Sequence, residues 1–288
     1  MKKRCALLTC SHLDGFVTDE EYLQKALEDS GWTWRWVSWD QEDVNWSDFD
    51  VAIVRTTWDY IHRPHEFLQR LSEIEQSSCQ LFNPYPLMQW NLDKSYLFDL
   101  AETGVEIVPT RWEDHFDKSQ LERCFKHFET SCLVVKPIIG AGAHTTYRIY
   151  EKDFEVYEQA QQNLFEQRVM IQPFLESVTT EGEYSLHYFN GEFSHGICKK
   201  PKPGDFRSQE EFGSHIQKIE CDPDLIKSGE RLLKNLEELP LYARVDWVRS
   251  DAGEFQLIEL ELIEPSLYFR MDPSSARTMV QALEERFI

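Results

Sequence analysis

Glu259 and Glu261 stand two residues apart in the apolar stretch 257–262, and Arg244 and Asp246 stand two apart in 242–248. Successive side chains of a strand alternate between faces, so the members of each pair project from the same side. If the two strands pair, three carboxylates and one guanidinium meet in one patch. Like charges on one strand face repel unless a cation bridges them. Hard oxygen ligands of this kind suit magnesium, which keeps several waters and takes further ligands from phosphates. The competing reading is a solvated strand face with incidental acids. The flanking Leu257, Ile258, Leu260 and Leu262 weigh against it, because they predict a strand covered on both faces.

A second group is cationic. Lys136 closes the apolar run Leu133-Val134-Val135, and Gly140-Ala141-Gly142-Ala143 follows. Small residues let backbone N–H groups approach a phosphate, and a lysine supplies charge to its oxygens. No Gly-Lys-Ser/Thr follows, so this is not a Walker loop, and an ordinary turn is the alternative. Lys94, after Asp93, opens a helix; the bland reading is a surface lysine. Nearer the amino end, Arg55, Thr56, Trp58, Asp59 and Tyr60 follow an apolar strand. A cation for a carboxylate, an acid for an ammonium and aromatics for a side chain suit an amino acid. A capped loop around a packed Trp is the alternative. His62 and His65 flank Pro64 and read as surface histidines rather than a metal pair.

These residues need elements to hold them. Strands are predicted at 5–8, 32–37 and 50–54, with helices over 20–30 and from Pro64 onward. Strands alternating with helices imply a small parallel α/β layer. Ligands of open α/β sheets sit beyond the carboxyl ends of the strands, which makes Ser11-His12 and the 55–60 loop candidate contacts. Asn83-Pro84-Tyr85-Pro86 marks a boundary. A helix follows over 93–103, then strands at 133–137 and 145–149, a helix over 154–165 and a strand at 169–174. Asn190-Gly191 predicts a hairpin of 184–189 with 192–197. The polar stretch 199–214 reads as a mobile loop. Asp222-Pro223 starts a helix, strands 242–248 and 255–262 are joined through Asp251-Ala252-Gly253, and Asp272-Pro273 opens the last helix.

Taken in order, Asp93-Lys94, Val134-Val135-Lys136-Pro137 before a small-residue loop, Gln172-Pro173-Phe174-Leu175-Glu176, Arg244-Val245-Asp246 and Glu259-Leu260-Glu261 resemble the ATP-grasp superfamily, in its glutathione synthetase and cycloserine-ligase branch. The likeness spans residues 83–270, and the first 80 residues are similar to the α/β domain that usually precedes. It implies an α/β fold with α+β lobes: a parallel α/β (pre-ATP-grasp) domain at 1–82, a central lobe at 83–173 and a C-terminal lobe at 174–288. It also implies ATP and Mg2+ as cofactors. Lys94 and Lys136 would contact the phosphates, Lys136 also lying near adenine. Gly140, Ala141, Gly142 and Ala143 would form a lid, and Phe174 and Leu175 a hinge whose backbone reads adenine. Glu176 and Glu183 would meet the ribose or adenine edge. Asp246, Glu259 and Glu261 would hold magnesium. Arg244 would face the transferred phosphate and the acyl intermediate, sharing the catalytic role with Lys136. For the substrate, Arg55, Trp58 and Asp59 are candidates, as are Lys199 and Arg207 (with Lys200 and Lys202) from a stretch where the family often has a covering loop. Glu261 stands where many members carry Asn, and the lid has fewer glycines than usual.

Composition limits the partners. With a formal net charge of −21 over 288 residues, the surface repels phosphate backbones and anionic lipid. Nucleic acid and membrane are therefore not expected, whereas a nucleotide needs only a local cluster of cations. The apolar stretch after Lys2-Lys3-Arg4 is short and reads as a strand rather than a secretory signal, so a cytoplasmic location is expected. Seven scattered cysteines without a Cys-x-x-Cys pair read as reduced small hydrophobes. The expected activity is an ADP-forming carboxylate–amine ligase working through an acylphosphate on an amino acid or small peptide. Its partners would be a small-molecule carboxylate and an amine, and a homodimer is a permitted assembly. Two readings compete: a small-molecule kinase, which would form no C–N bond, and a non-catalytic nucleotide-binding protein, which would show no turnover.

Overall fold

The computed structural model describes residues 2–143 and 145–287. The amino-terminal layer comprises β1 (Arg4–Thr9), α1 (Glu21–Asp29), β2 (Thr33–Ser38), β3 (Val51–Thr56), α2 (Pro64–Glu75) and β4 (Gln80–Phe82). Its sheet is parallel, in the order β2-β1-β3-β4. β1 and β3 are apolar almost throughout, as strands covered on both faces require. Leu23 and Leu27 of α1 cover one face, and Phe67, Leu71 and Ile74 of α2 cover the other.

Next come α3 (Tyr85–Asn91) and α4 (Tyr96–Glu102). The predicted boundary at Pro84 and Pro86 is a helix start, because proline is tolerated where the first turn has no N–H to bond. The helix predicted over 93–103 is α4, and α3 ahead of it was not predicted. The middle layer holds β5 (Arg111–Glu113), α5 (Lys118–His127), β6 (Cys132–Pro137), β7 (Tyr147–Tyr150), α6 (Phe154–Leu164) and β8 (Val169–Pro173). Its antiparallel order is β5-β8-β6-β7. α5 opens on a reciprocal cap between Asp117 and Gln120.

The third layer follows with α7 (Ser177–Thr180), β9 (Glu183–Phe189), β10 (Glu192–Lys200), β11 (His215–Ile219), α8 (Pro223–Lys234), β12 (Tyr242–Arg249), β13 (Phe255–Glu261) and α9 (Ser275–Arg286). The antiparallel order is β11-β10-β9-β12-β13. The predicted loop over 199–214 is shorter than expected. β10 stays paired with β9 as far as Lys199 opposite Glu183, and β11 begins at His215.

Packing crosses the limits of the sheets at two places. α9 lies on α1 and joins its core. α3 and α4 bury Leu87, Tyr96, Leu97 and Leu100 beside Leu257, Leu260 and Leu262 of the third layer. This contact governs β13, whose outer edge has no strand partner among the described residues. An open edge is a liability, and residues 83–108 cover it. Asn91 donates to the Leu260 carbonyl (2.9 Å) and accepts from the Leu262 N–H (2.9 Å). The Tyr96 hydroxyl accepts from the Leu260 N–H (2.8 Å), and the Leu257 N–H donates to the Glu106 carbonyl (2.8 Å). The strand bearing Glu259 and Glu261 is therefore held on both edges. Among the described residues, no helix is long and apolar enough to cross a membrane.

Candidate active site

The three layers enclose a cleft of about 520 Å³. Its floor is the β12–β13 ladder, in which Arg244 lies opposite Glu261 and Asp246 opposite Glu259. Antiparallel partners share a face, so all four side chains rise together. One carboxylate oxygen from each of Asp246, Glu259 and Glu261 lies within 4.8 Å of the other two. The Arg244 Nε donates to both Asp246 oxygens (3.0 and 3.1 Å), and its Nη2 reaches Asp246 (2.9 Å) and Glu261. Lys199 Nζ bonds Asp246 (3.2 Å) and Glu183. Gly182 makes room for this: at φ +117° it starts β9 so close to β10 that a Cβ would lie 2.9 Å from the Lys199 carbonyl.

The cations opposite come from the turn between α3 and α4, which carries Lys94, and from the end of β6, which carries Lys136. Lys94 Nζ pairs with Glu259 (3.1 Å) and donates to the Gly140 carbonyl (2.6 Å), tying the small-residue loop to the floor. Lys136, Gly140, Ala141, Gly142 and Ala143 line the cleft, as do Phe174, Leu175 and Glu183. The loop between β10 and β11 forms a side wall. It is held by the Ser208 hydroxyl on Glu183 (2.6 Å) and by Arg270, which bonds Glu210 and also Asp19 ahead of α1 (3.2 Å).

Opposed effects set the charge of these groups. Burial works against the Asp246 carboxylate, but the Arg244 and Lys199 cations outweigh it and hold its carboxyl below the ordinary range. Burial likewise opposes ionisation of Glu259, and Lys94 and Lys136 overcome it. Glu261 is pushed up to about 8 by burial, with Arg244 opposing and the Glu259 and Asp246 charges adding. Its side chain keeps 27% exposure through the cleft mouth, yet the mass around it is protein. Burial lifts Glu264 to about 7, against the neighbouring Tyr60 hydroxyl and the Lys94 charge. Lys136 is lowered, by burial first and then by Lys94.

Three comparisons bear on this arrangement. Residues 5–83 match the family model of the D-cycloserine synthetase DcsG N-terminal domain. The chain is 33% identical over 291 residues to the cycloserine biosynthesis protein DcsG of Streptomyces lavendulae, covering 92% of each. The chain belongs to the D-cycloserine synthetase family. A crystal structure of D-cycloserine synthetase DcsG aligns with a TM-score of 0.87 at 29% identity, over 99% of this chain and 100% of that one. The D-alanine–D-alanine ligase of Bacillus anthracis, complexed with ATP, aligns at 0.70 and 16% identity over 99% and 97% of the two chains. The ATP-grasp ligase PsnB, complexed with a precursor peptide and AMPPNP, aligns at 0.65 and 14% over 100% and 98%. These last two share the fold. This member of the synthetase family has the ATP-grasp fold and is an ATP-dependent ligase.

Within this synthetase-family cleft, four expected residues stand elsewhere or in other company. Arg55 does not line the cleft. It is fully buried, bonded by Nε and Nη2 to Glu20 (3.1 and 2.7 Å) and by Nη2 to the Pro265 carbonyl (3.0 Å). Glu176 is exposed at the start of α7, outside the lining. Lys199 lines the cleft from a strand rather than a covering loop, with its ammonium between Asp246 and Glu183. Arg207 does lie on the covering loop, but its guanidinium is held by Asp205 (2.9 Å) and stacks over Phe212 at 3.6 Å. Trp58 and Asp59 line the cleft: the Trp58 indole donates to the Glu264 carbonyl (3.1 Å), and Asp59 accepts from the Trp39 indole (2.6 Å). His12 lines the cleft; Ser11 bonds Ser38 outside it. The sequence reading missed Glu264 and Arg270. The third acid in Glu259-x-Glu261-x-x-Glu264, ahead of a proline, was the available signal for the first; Arg270 carried none.

Proposed function

We propose that the cleft binds ATP with magnesium and joins the carboxylate of a small amino-acid-derived substrate to an amine, releasing ADP and phosphate. The observation that carries this reading is the cluster of Asp246, Glu259 and Glu261, within 4.8 Å of one another and facing Lys94 and Lys136. The donor set fits a hard divalent ion: three carboxylates crowd one spot, and burial, with the Glu259 and Asp246 charges, works against ionisation of Glu261. Bound there, magnesium would supply charge neutralisation to the transferring phosphoryl group.

The remaining work falls to side chains and backbone. Lys94 and Lys136 bind phosphate oxygens, with Lys94 exchanging Glu259 for them. The 140–143 loop closes above, and the backbone of Phe174 and Leu175 reads the base. A substrate carboxylate oxygen attacks the γ-phosphorus, and ADP leaves with the bonding electron pair. The amine nitrogen then attacks the acyl carbon of the acylphosphate and loses a proton, and phosphate leaves. Arg244 meets the oxyanion that forms between these events. Water must stay out while the acylphosphate lives, a task suited to the two covering loops. The similarity to a cycloserine synthetase supports an amino-acid-sized substrate over a long peptide. A cytoplasmic setting suits the seven free cysteines, and a single chain supplies every group named.

The test is coupled ADP release over a panel of amino acids and dipeptides, with and without magnesium. Release should depend on the acid, the amine and the metal, and should vanish in Lys136→Ala and Glu259→Ala. Unchanged release in both variants overturns the reading.

A further inference from the structure

Among the described residues, the carboxylates lining the cleft floor each pair with a cation, with one exception. Glu183 has Lys199, Asp246 has Lys199 and Arg244, Glu259 has Lys94, and Glu261 has Arg244. Glu264 is 8% exposed and lines the same cleft. Among the described residues, no Lys, Arg or His nitrogen lies within 4.0 Å of it in an ion pair. The Tyr60 hydroxyl lies beside its carboxyl.

The surroundings fix this carboxylate in place. Tyr60 is 5% exposed and stacks on Phe67, with ring centroids 4.5 Å apart and planes at 20°. The Glu264 carbonyl is held by the Trp58 indole, and the next carbonyl, that of Pro265, by Arg55. The buried Arg55–Glu20 pair therefore has a use at one remove: it anchors the turn that presents Glu264. A buried carboxylate without a counterion is costly, and a neutral phenol meets only part of its demand. A ligand ammonium brings the missing charge together with three donors. Asp59, the acid that the sequence offered for that task, is already engaged by Trp39.

We propose that Glu264 is the specificity-determining residue for the ammonium group of an amino-acid substrate. The amino acid would lie with its ammonium on Glu264, at the seam between the 58–62 loop and β13, and its carboxylate toward Arg244. This rests on the ligase reading above, and it predicts discrimination between an amino acid and the hydroxy acid of the same skeleton.

The experiment measures ADP release by the full chain with ATP and magnesium. The probes are alanine and serine of either hand, against lactate and glycerate of the same hand, each with ammonia as the amine. The wild type should favour the amino acids, and Glu264→Gln should lower the amino-to-hydroxy ratio of kcat/KM by about tenfold or more, because a site built for a polar group discriminates through it. The KM for ATP should be unmoved. Glu264→Asp, which keeps the charge, should retain most of the preference and shows whether loss in the amide variant is only misfolding. An unchanged ratio in Glu264→Gln, or a wild type that turns over both classes alike, overturns this inference and leaves the ligase reading standing. No acid-dependent release from any probe overturns the ligase reading for acids of this size, and this inference with it.

Discussion

Two buried arginines in apolar strands, Arg55 near the end of β3 and Arg244 near the start of β12, have opposite fates. Arg55 is sealed: one carboxylate, that of Glu20, and backbone carbonyls engage all three of its nitrogens. Arg244 is shared by Asp246 and Glu261, with Glu259, Lys94, Lys136 and Lys199 gathered around and a cleft above. A buried ion pair by itself marks neither stability nor function. What separates the two sites is residual demand. The first is internally complete, whereas the second holds carboxylates that its own cations do not satisfy and leaves them open to a ligand.

The strongest way to break this comparison is to remove charge from the open site. Glu259→Gln should cut ADP release by about 10²–10³-fold, the scale seen when one preorganised electrostatic group is lost, while the melting temperature holds. A retained rate would make the two arginine sites equivalent. Next in size is Glu20→Ala, which strands Arg55 in the interior. A loss of roughly 3–5 kcal/mol in urea unfolding is expected, and Arg55→Met combined with Glu20→Leu should recover most of it. If the double variant is as unstable as the single, the pair does more than balance itself. Asn91→Ala sharpens the comparison from the side of the scaffold. It leaves the Leu260 carbonyl and the Leu262 N–H unpaired at the β13 edge, for about 1–3 kcal/mol, and should weaken magnesium binding in calorimetry.

The smallest effect is a pH dependence. Glu261 and Glu264 bind protons more tightly in the folded chain, at about 8 and about 7, than the ordinary 4.5. The folded state therefore holds more protons between about 4.5 and 8, and their contribution to stability is lost as pH rises through that window. Magnesium, which binds the ionised form, should bind more tightly over the same range. Melting curves at stepped pH should slope downward without magnesium, less so with it, and should flatten in Glu261→Gln. A slope of the opposite sign would mean that Glu261 is ionised throughout.

The cluster was legible because strand alternation is a local rule. Arg244-x-Asp246 and Glu259-x-Glu261 each declare a common face, and one pairing brings the two together. The parallel layer was legible in the same way, from apolar runs alternating with helical spacing. Arg55 was not, since the residue that decides its direction, Glu20, is 35 positions away and its carbonyl partner 210 away. Lys199 was assigned to a loop because Lys-Lys-Pro-Lys-Pro-Gly looks irregular, and only hairpin register shows the strand running on to Lys200. Glu264 lay one turn beyond the alternation that exposed its neighbours. α5 did carry a local signal, the Asp117–Gln120 cap, which went unread.

The middle layer keeps its own counsel. The apolar cluster on one of its faces, from Phe116 through Leu133, Val135, Ile149 and Leu164 to Ile171, draws on no residue outside 116–171. By contrast, α9 binds the first layer to the third, and α3 and α4 are built into the third. A nucleotide entering the cleft thus meets one jaw that is bolted to the rest of the molecule and one that keeps a core of its own and joins the rest through Ile138 and Met170 on its other face. Hydrogen exchange should find amide protection in that lobe rising and falling as a unit when ATP binds, while the acids of β13 stay where the scaffold set them.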